Sequence, residues 1–497
     1  MPAKSTRLLG AALTLAALAT CPPARAEAAA GLCAPGESGA SARLGELVYA
    51  ACAGTMTIAE HQGTGNQDTG NRGRPQAELF YTAYFAKTVH SAPRPIAFIW
   101  NGGPGADSRL LQFRALGPRT LHGAALADNP NSPLAAADLV FLDPAGTGFS
   151  RAATAEAAGK LYSTTGDLAA TTAFILKFLK SRGREDAPVY LVGESFGTWR
   201  AAGVAEALID AGQPVAGIAL VSGGIPMGEE HDRALMRALT LPNRTATALA
   251  LGKLDPVLSA NPARTLAAAE KWARDVWYPA LARPEALGRR ARAQAVAGLA
   301  RYTGLAPAAI DAQTLWVSPR DFRTRLLESE GKTLGIFDMR RTSPGAAAST
   351  DEKAGDAAIL AFYRNTLGYR QGRYAGIEIP ELPVGNDWQY DQSAITKESL
   401  ARAMAGEGPP SASQPWVLRA MEKAPAMHVM VATGLYDSLN GCAANRQAAA
   451  DFPQALAVRI AAHCYRGGHM MYEESAEAVQ FTRDLSTFFS NAPKMQK

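Results

Sequence analysis

Gly193-Glu194-Ser195-Phe196-Gly197 places a serine between paired glycines, with the apolar run Val189 to Val192 before it and a helical pattern through Ala201 to Ile209 after it. A serine in a sharp strand-to-helix turn projects its hydroxyl from a sheet edge, where it can act as a nucleophile. The flanking glycines suit that turn, because a Cβ would crowd the backbone there. The hydroxyl is weak by itself and needs a base, and the base needs a group that fixes its tautomer.

Seven histidines compete for the role of base: His61, His90, His122, His231, His428, His463 and His469. The first three precede the serine, against the serine, acid, histidine order of hydrolases built on such turns. His231 opens a helical stretch, His428 lies inside an apolar strand run and reads as a core histidine, and His463 sits beside Cys464 as a structural residue. His469 follows Arg466-Gly467-Gly468 in a glycine turn beyond the last strand pattern, and is the expected base. The expected acid is Asp437, which ends MHVMVATGLYD just past a strand. One helix and one strand fit between Asp437 and His469, which brings both turns to the same sheet edge. An oxyanion hole requires two backbone N–H groups aimed at the developing charge. Phe196 at the helix start offers one, and Gly103 in Asn101-Gly102-Gly103-Pro104-Gly105 offers the other.

The elements that must carry these residues are short apolar runs stopped by tight turns: Pro95 to Trp100, Ala137 to Leu142, Ala187 to Val192 and Pro214 to Ser222. Such runs read as strands buried on both faces. The helical pattern Thr165 to Leu179 lies between two of them, and this alternation predicts a parallel sheet covered by helices. Residues 58 to 76 are polar and glycine-rich, a loop or hairpin tip, followed by a strand-forming segment. From Met227 to Tyr369 the pattern is mainly helical, with helices expected over Pro262 to Tyr278 and Pro284 to Tyr302 and a mobile loop over Ser343 to Asp356. Sheet-like sequence returns at Met427 to Thr433 and Ala455 to Ala461. The middle therefore reads as a lid inserted into one α/β core.

WNGGPG (Trp100 to Gly105), DPAGTGFS (Asp143 to Ser150), GESFG, GLYD and GGHM, in that order, resemble the signatures of the serine carboxypeptidase family, and LFYTAYF (Leu79 to Phe85) is similar to its early strand. The resemblance implies an α/β-hydrolase with a mostly parallel central sheet, helices on both faces and a helical lid insertion. It implies cleavage at peptide C-termini with no metal and no cofactor. It assigns Ser195 as nucleophile, Asp437 as orienter, His469 as base, Gly103 and Phe196 as oxyanion donors, and Asn101 and Glu194 as substrate-binding residues. The family pairs the glutamate before the nucleophile with a second one in an ExGP segment, and Ala115 of Ala115-Leu116-Gly117-Pro118 stands there instead. Loss of a proton-sharing pair weakens a preference for acid pH. Arg114 and Arg119 are candidates to supply positive charge in its place. Ala106 replaces the usual cysteine after NGGPG, and Leu435 replaces the first aspartate of GDxD.

Composition sets the outer bounds. At 497 residues with 47% apolar content, the chain is too large and apolar for a peptide or a disordered tail. Lys4 and Arg7, the apolar stretch Leu8 to Ala19 and Ala24-Arg25-Ala26 form an export signal, expected to be removed after residue 26. That stretch is too short to cross a bilayer core of about 30 Å, and no later segment replaces it as a transmembrane span. Removing Lys4, Arg7 and Arg25 lowers the formal charge from +5 to +2, and no basic stripe remains to bind nucleic acid. Cys33, Cys52, Cys442 and Cys464 are then left in an oxidising compartment, and proximity favours pairs Cys33–Cys52 and Cys442–Cys464.

The expected organisation is a signal peptide over 1–26, a first segment of the α/β-hydrolase core over 27–226, a mainly helical lid insertion over 227–385 and a second core segment over 386–497. The expected function is a secreted or periplasmic serine carboxypeptidase-like peptidase acting on a peptide or small ester. A serine esterase, endopeptidase or acyltransferase with the same triad is the rival enzyme, and a non-catalytic binding protein is the third reading.

Overall fold

The computed structural model describes residues 32–59, 74–88, 93–228, 232–344, 350–384, 387–404 and 408–491. The export signal, most of the 58–76 loop, His61, His90, His231 and the 385/386 lid boundary lie outside the described residues.

Ten strands form one sheet. In chain order they are β1 (Ser38–Leu44), β2 (Leu47–Ala59), β3 (Pro75–Ala86), β4 (Ile96–Trp100), β5 (Asp138–Leu142), β6 (Arg151–Ala152), β7 (Val189–Glu194), β8 (Val215–Val221), β9 (His428–Gly434) and β10 (Ile460–Tyr465). The spatial order is β1-β2-β3-β5-β4-β7-β8-β9-β10, with the short β6 on β3. The pairs from β1 to β5 are antiparallel, and all pairs from β5 to β10 are parallel. Every residue of β4, β5, β7 and β8 is buried, as unbroken apolar runs require.

Side-chain alternation divides β4 between two hydrophobic layers. Ile96, Phe98 and Trp100 pack with Phe174 and Phe178 of α1 (Thr164–Ser181). Ala97 and Ile99 point the other way, into a cluster with Phe481, Leu485 and Phe489 of the C-terminal helix Ser475–Ser490. Helix α2 (Gly197–Asp210) starts directly after the serine turn and joins the first layer. Helices therefore cover both faces of a mostly parallel sheet, the α/β-hydrolase architecture.

The insertion has its own core. Helices α3 (Arg233–Ala238), α4 (Leu241–Ala250), α5 (Pro262–Trp272) and α6 (Arg289–Thr303) pack around Trp277, Leu299 and Phe322. Side chains return to the sheet with Ile359, Phe362 and Tyr363. The expected loop over 343–356 is shorter than its composition suggests, since α7 (Thr350–Ala361) starts inside it. Alanine content there favours helix once the segment leaves its Pro-Gly start. The segment Ala455 to Ala461 also differs from the strand reading: Gln454–Ala457 is a helical turn and the strand begins at Ile460. Short apolar runs are ambiguous between the two states. Both expected disulfides are present, Cys33–Cys52 and Cys442–Cys464. No helix among the described residues is long and apolar enough to cross a membrane.

Candidate active site

Ser195 has φ 57°, a left-handed conformation that few non-glycine residues adopt. The surroundings hold it there. Ser195 N–H donates to the Val221 carbonyl at 2.8 Å, and the Trp100 indole donates to Gly197 O at 3.0 Å. A Cβ on Gly193 would lie 1.9 Å from Gly197 O, so the glycine spacing reflects a real close approach. Beneath the turn, the fully buried Arg200 bonds Asp167 at 2.6 Å and the Asn101 carbonyl at 2.9 Å. This ties α2, α1 and the loop after β4 into one support.

His469 and Asp437 meet on the adjacent edge. His469 Nδ1 is 2.9 Å from Asp437 Oδ2, and both side chains are buried. Asp437 also accepts Leu439 N–H at 2.8 Å and the Asn440 amide at 3.0 Å. Each carboxylate oxygen is thereby held in one orientation. Burial works against an imidazolium at His469, but the Asp437 carboxylate and, more weakly, Glu194 outweigh it and hold the imidazole above its ordinary value of 6.5. His469 Nε2 is buried and has no hydrogen-bond partner among the described residues.

The two loops interlock through glycines. A Cβ on Gly434 would lie 1.9 Å from Gly468 O, and one on Gly467 would lie 2.6 Å from Met471 Cα. Tyr436 N–H donates to Gly467 O at 2.9 Å. The GLYD and GGHM signatures are therefore two halves of one contact.

Gly103, Ser195, Phe196 and His469 all line a single cleft of about 600 Å³ between core and insertion. Gly102 approaches the turn so closely that a Cβ there would sit 2.6 Å from Phe196 N. Gly103 itself has φ +99°. The Phe196 amide belongs to the first turn of α2, where N–H groups lack helical carbonyl partners.

Asn101 and Glu194 are buried and absent from the described lining of the cleft. The Asn101 amide donates to Glu194 at 3.0 Å while its oxygen accepts Leu111 N–H at 3.0 Å. The other Glu194 oxygen accepts the Tyr472 hydroxyl at 2.5 Å. Burial pushes the Glu194 carboxyl up, opposed by His469 charge and by these two donors. Ala115 is buried on the turn Leu111–Leu116, and neither Arg114 nor Arg119 makes a hydrogen bond or ion pair with Glu194 among the described residues. Arg114 pairs with Glu473 at 3.3 Å and Arg119 with Asp128 at 2.6 Å.

Several supports were not legible as site residues. Ser222 donates its hydroxyl to the His469 carbonyl. Asn243 of α4 donates to the Gly434 and Asn440 carbonyls, both at 3.1 Å. The insertion segment Gly335 to Arg341 backs the histidine: Phe337 O accepts His469 N–H at 2.5 Å, and Ile336 O accepts the Ser438 hydroxyl at 2.6 Å. The position of Ser222 at the end of β8, next to the serine turn, is the one signal that could have marked it. His428 is a correction. It is exposed at the first position of β9, bonded to Ala426 O at 2.9 Å, because the buried stretch of the strand starts one residue later. His463 is half-exposed and lies 3.5 Å from Asp484.

Residues 60–220 match the family model for serine carboxypeptidase. Among solved structures, Kex1Δp, a prohormone-processing carboxypeptidase from Saccharomyces cerevisiae, is similar with TM-score 0.51 and 14% identity, over 89% of this chain and 91% of that one. At that identity the likeness is one of fold. Proline iminopeptidase from Mycobacterium smegmatis aligns over 88% of this chain and 97% of its own, with TM-score 0.34 and 11% identity. None of the curated proteins matches the chain. Fold and family match together make the chain an α/β-hydrolase of the serine-hydrolase type.

Proposed function

We propose that this chain is an exported serine peptidase of the carboxypeptidase type. Ser195 Oγ attacks the scissile carbonyl while His469 Nε2 takes its proton and then delivers it to the leaving amine. Asp437 holds the imidazole with its proton on Nδ1. The amides of Gly103 and Phe196 bond the oxyanion, and water then releases the acyl group by the same steps in reverse. One observation carries the reading: the turn serine, the histidine bonded to a buried aspartate, and both amide positions border one cleft.

A fluorophosphonate probe should label the wild-type protein and fail to label Ser195→Ala. Equal labelling of both would remove Ser195 from the mechanism.

A second reading, esterase or endopeptidase, is favoured by Glu194. Both of its oxygens are occupied by buried donors, and the family's partner glutamate is Ala115, so this pair offers no proton to a terminal carboxylate. Peptides with free and amidated C-termini separate the two. Stepwise shortening of the free form alone supports the carboxypeptidase, and equal internal cleavage of both supports the rival.

A further inference from the structure

Ser222, directly after β8, is fully buried and has φ 49°. A left-handed backbone is costly for a residue with a Cβ, and glycine avoids that cost. Among the described residues, only Ser195, Ser222 and Leu315 take a positive φ without being glycine, so two of the three stand in this site. Such strain persists where the surroundings hold it, and it collects at functional sites.

The contacts of Ser222 lead to the whole triad. Its hydroxyl donates to the His469 carbonyl, with Met471 Sδ at 3.6 Å as a weaker acceptor. Its carbonyl accepts the Asn440 amide at 3.0 Å, and the same amide donates to Asp437 Oδ2, the oxygen that faces His469 Nδ1. Its N–H donates to Ala432 O at 2.8 Å, in the strand that leads to Asp437. One residue earlier, the Val221 carbonyl accepts Ser195 N–H at 2.8 Å. Two consecutive residues at one strand end thereby reach Ser195, Asp437 and His469. The main chain of His469 is gripped on both sides, by Ser222 at its carbonyl and by Phe337 at its N–H.

Glycine at 222 would take the same φ without strain but would offer no hydroxyl. We propose that Ser222 is a positioning residue, which sets the His469 imidazole against Ser195 by tying the histidine main chain to the strand end that also holds the serine turn. It acts through His469 and not on the substrate. That role in catalysis rests on the hydrolase reading above, whereas the tie between Ser222 and the imidazole can be followed without turnover.

Ser222→Gly and Ser222→Ala both remove the hydroxyl, but only the glycine variant relieves the backbone. Fluorophosphonate labelling rates, kcat and KM on an activated ester, and thermal melts should be measured for both. Labelling rate and kcat should fall at least about tenfold in each variant with KM little changed, since a misplacement of about 1 Å can cost about 10²-fold. Tm should be higher for Ser222→Gly than for Ser222→Ala. Activity that follows the hydroxyl while stability follows the backbone separates positioning from a structural role. Labelling of Ser222→Gly within about twofold of the wild type overturns the proposal, as does a loss of rate that merely tracks the loss of Tm across the two variants. The second readout is the low-field proton resonance of His469 Nδ1–H bonded to Asp437, which should move upfield in Ser222→Gly as the imidazole shifts. If the wild type itself does not label, the hydrolase reading falls and this resonance decides alone: a shift upholds the tie between Ser222 and His469, and an unmoved signal overturns it.

Discussion

Asp437 controls both the tautomer and the charge of His469. In the proposed mechanism the neutral imidazole is the base, and its proton affinity is held above the ordinary value, so kcat/KM should fall as pH drops through a point above 6.5. Asp437→Asn should move that limb to lower pH. It should also reduce kcat by about 10⁴, because an amide facing Nδ1 favours the tautomer with the proton on Nε2. A pH series on both proteins checks the two effects separately, and an unmoved limb would detach Asp437 from the base. Tyr472 invites a different test. Tyr472→Phe leaves one oxygen of the buried Glu194 without its donor, which costs about 1–3 kcal/mol. Denaturant unfolding should show this loss, and Glu194→Gln in the same background should change its size if the two groups are coupled.

At the scale of elements, the two loops that carry Asp437 and His469 can approach only as glycine backbones. Gly434→Ala should abolish labelling of Ser195 by separating the loops, since the added methyl would stand 1.9 Å from Gly468 O. Labelling at the wild-type rate would mean that the close approach is dispensable. This contact also explains what could be read from the sequence. Strands β4, β5, β7 and β8 are visible because each is a continuous apolar run, and Ser195, Asp437 and His469 stand out at their ends because turn glycines mark the spots. The supports are different. Ser222, Asn243 and Tyr472 contribute through contacts across 191 to 278 positions of chain, and Phe337 through a backbone carbonyl. Neither kind of contact leaves a local pattern. His428 misleads for the opposite reason, because an apolar neighbourhood in sequence does not fix where a strand enters the core. The same holds for Arg114 and Arg119: their position beside Ala115 is local, but their partners, Glu473 and Asp128, are set by the fold.

The whole molecule also carries a charge cost away from the cleft. Burial, reinforced by Asp107, pushes the Asp143 carboxyl from 3.8 up to about 8, and its Oδ2 has no hydrogen-bond partner among the described residues. The folded protein thus keeps a proton that the unfolded chain gives up. This group's contribution to stability is complete below about pH 4 and is lost as pH rises towards about 8. Asp143→Asn retains the oxygen that accepts Ser108 N–H, and should flatten the decline of Tm over that range. An unchanged slope would assign the pH dependence to other groups. The bond from His469 N–H to Phe337 O has a consequence at this scale as well. A cap that swung away as one rigid body would drag the imidazole with it or break that bond. Substrate entry through the standing mouth of the cleft keeps that bond intact, and an exchange of the helices for those of another hydrolase should spare the Gly335 to Arg341 strap.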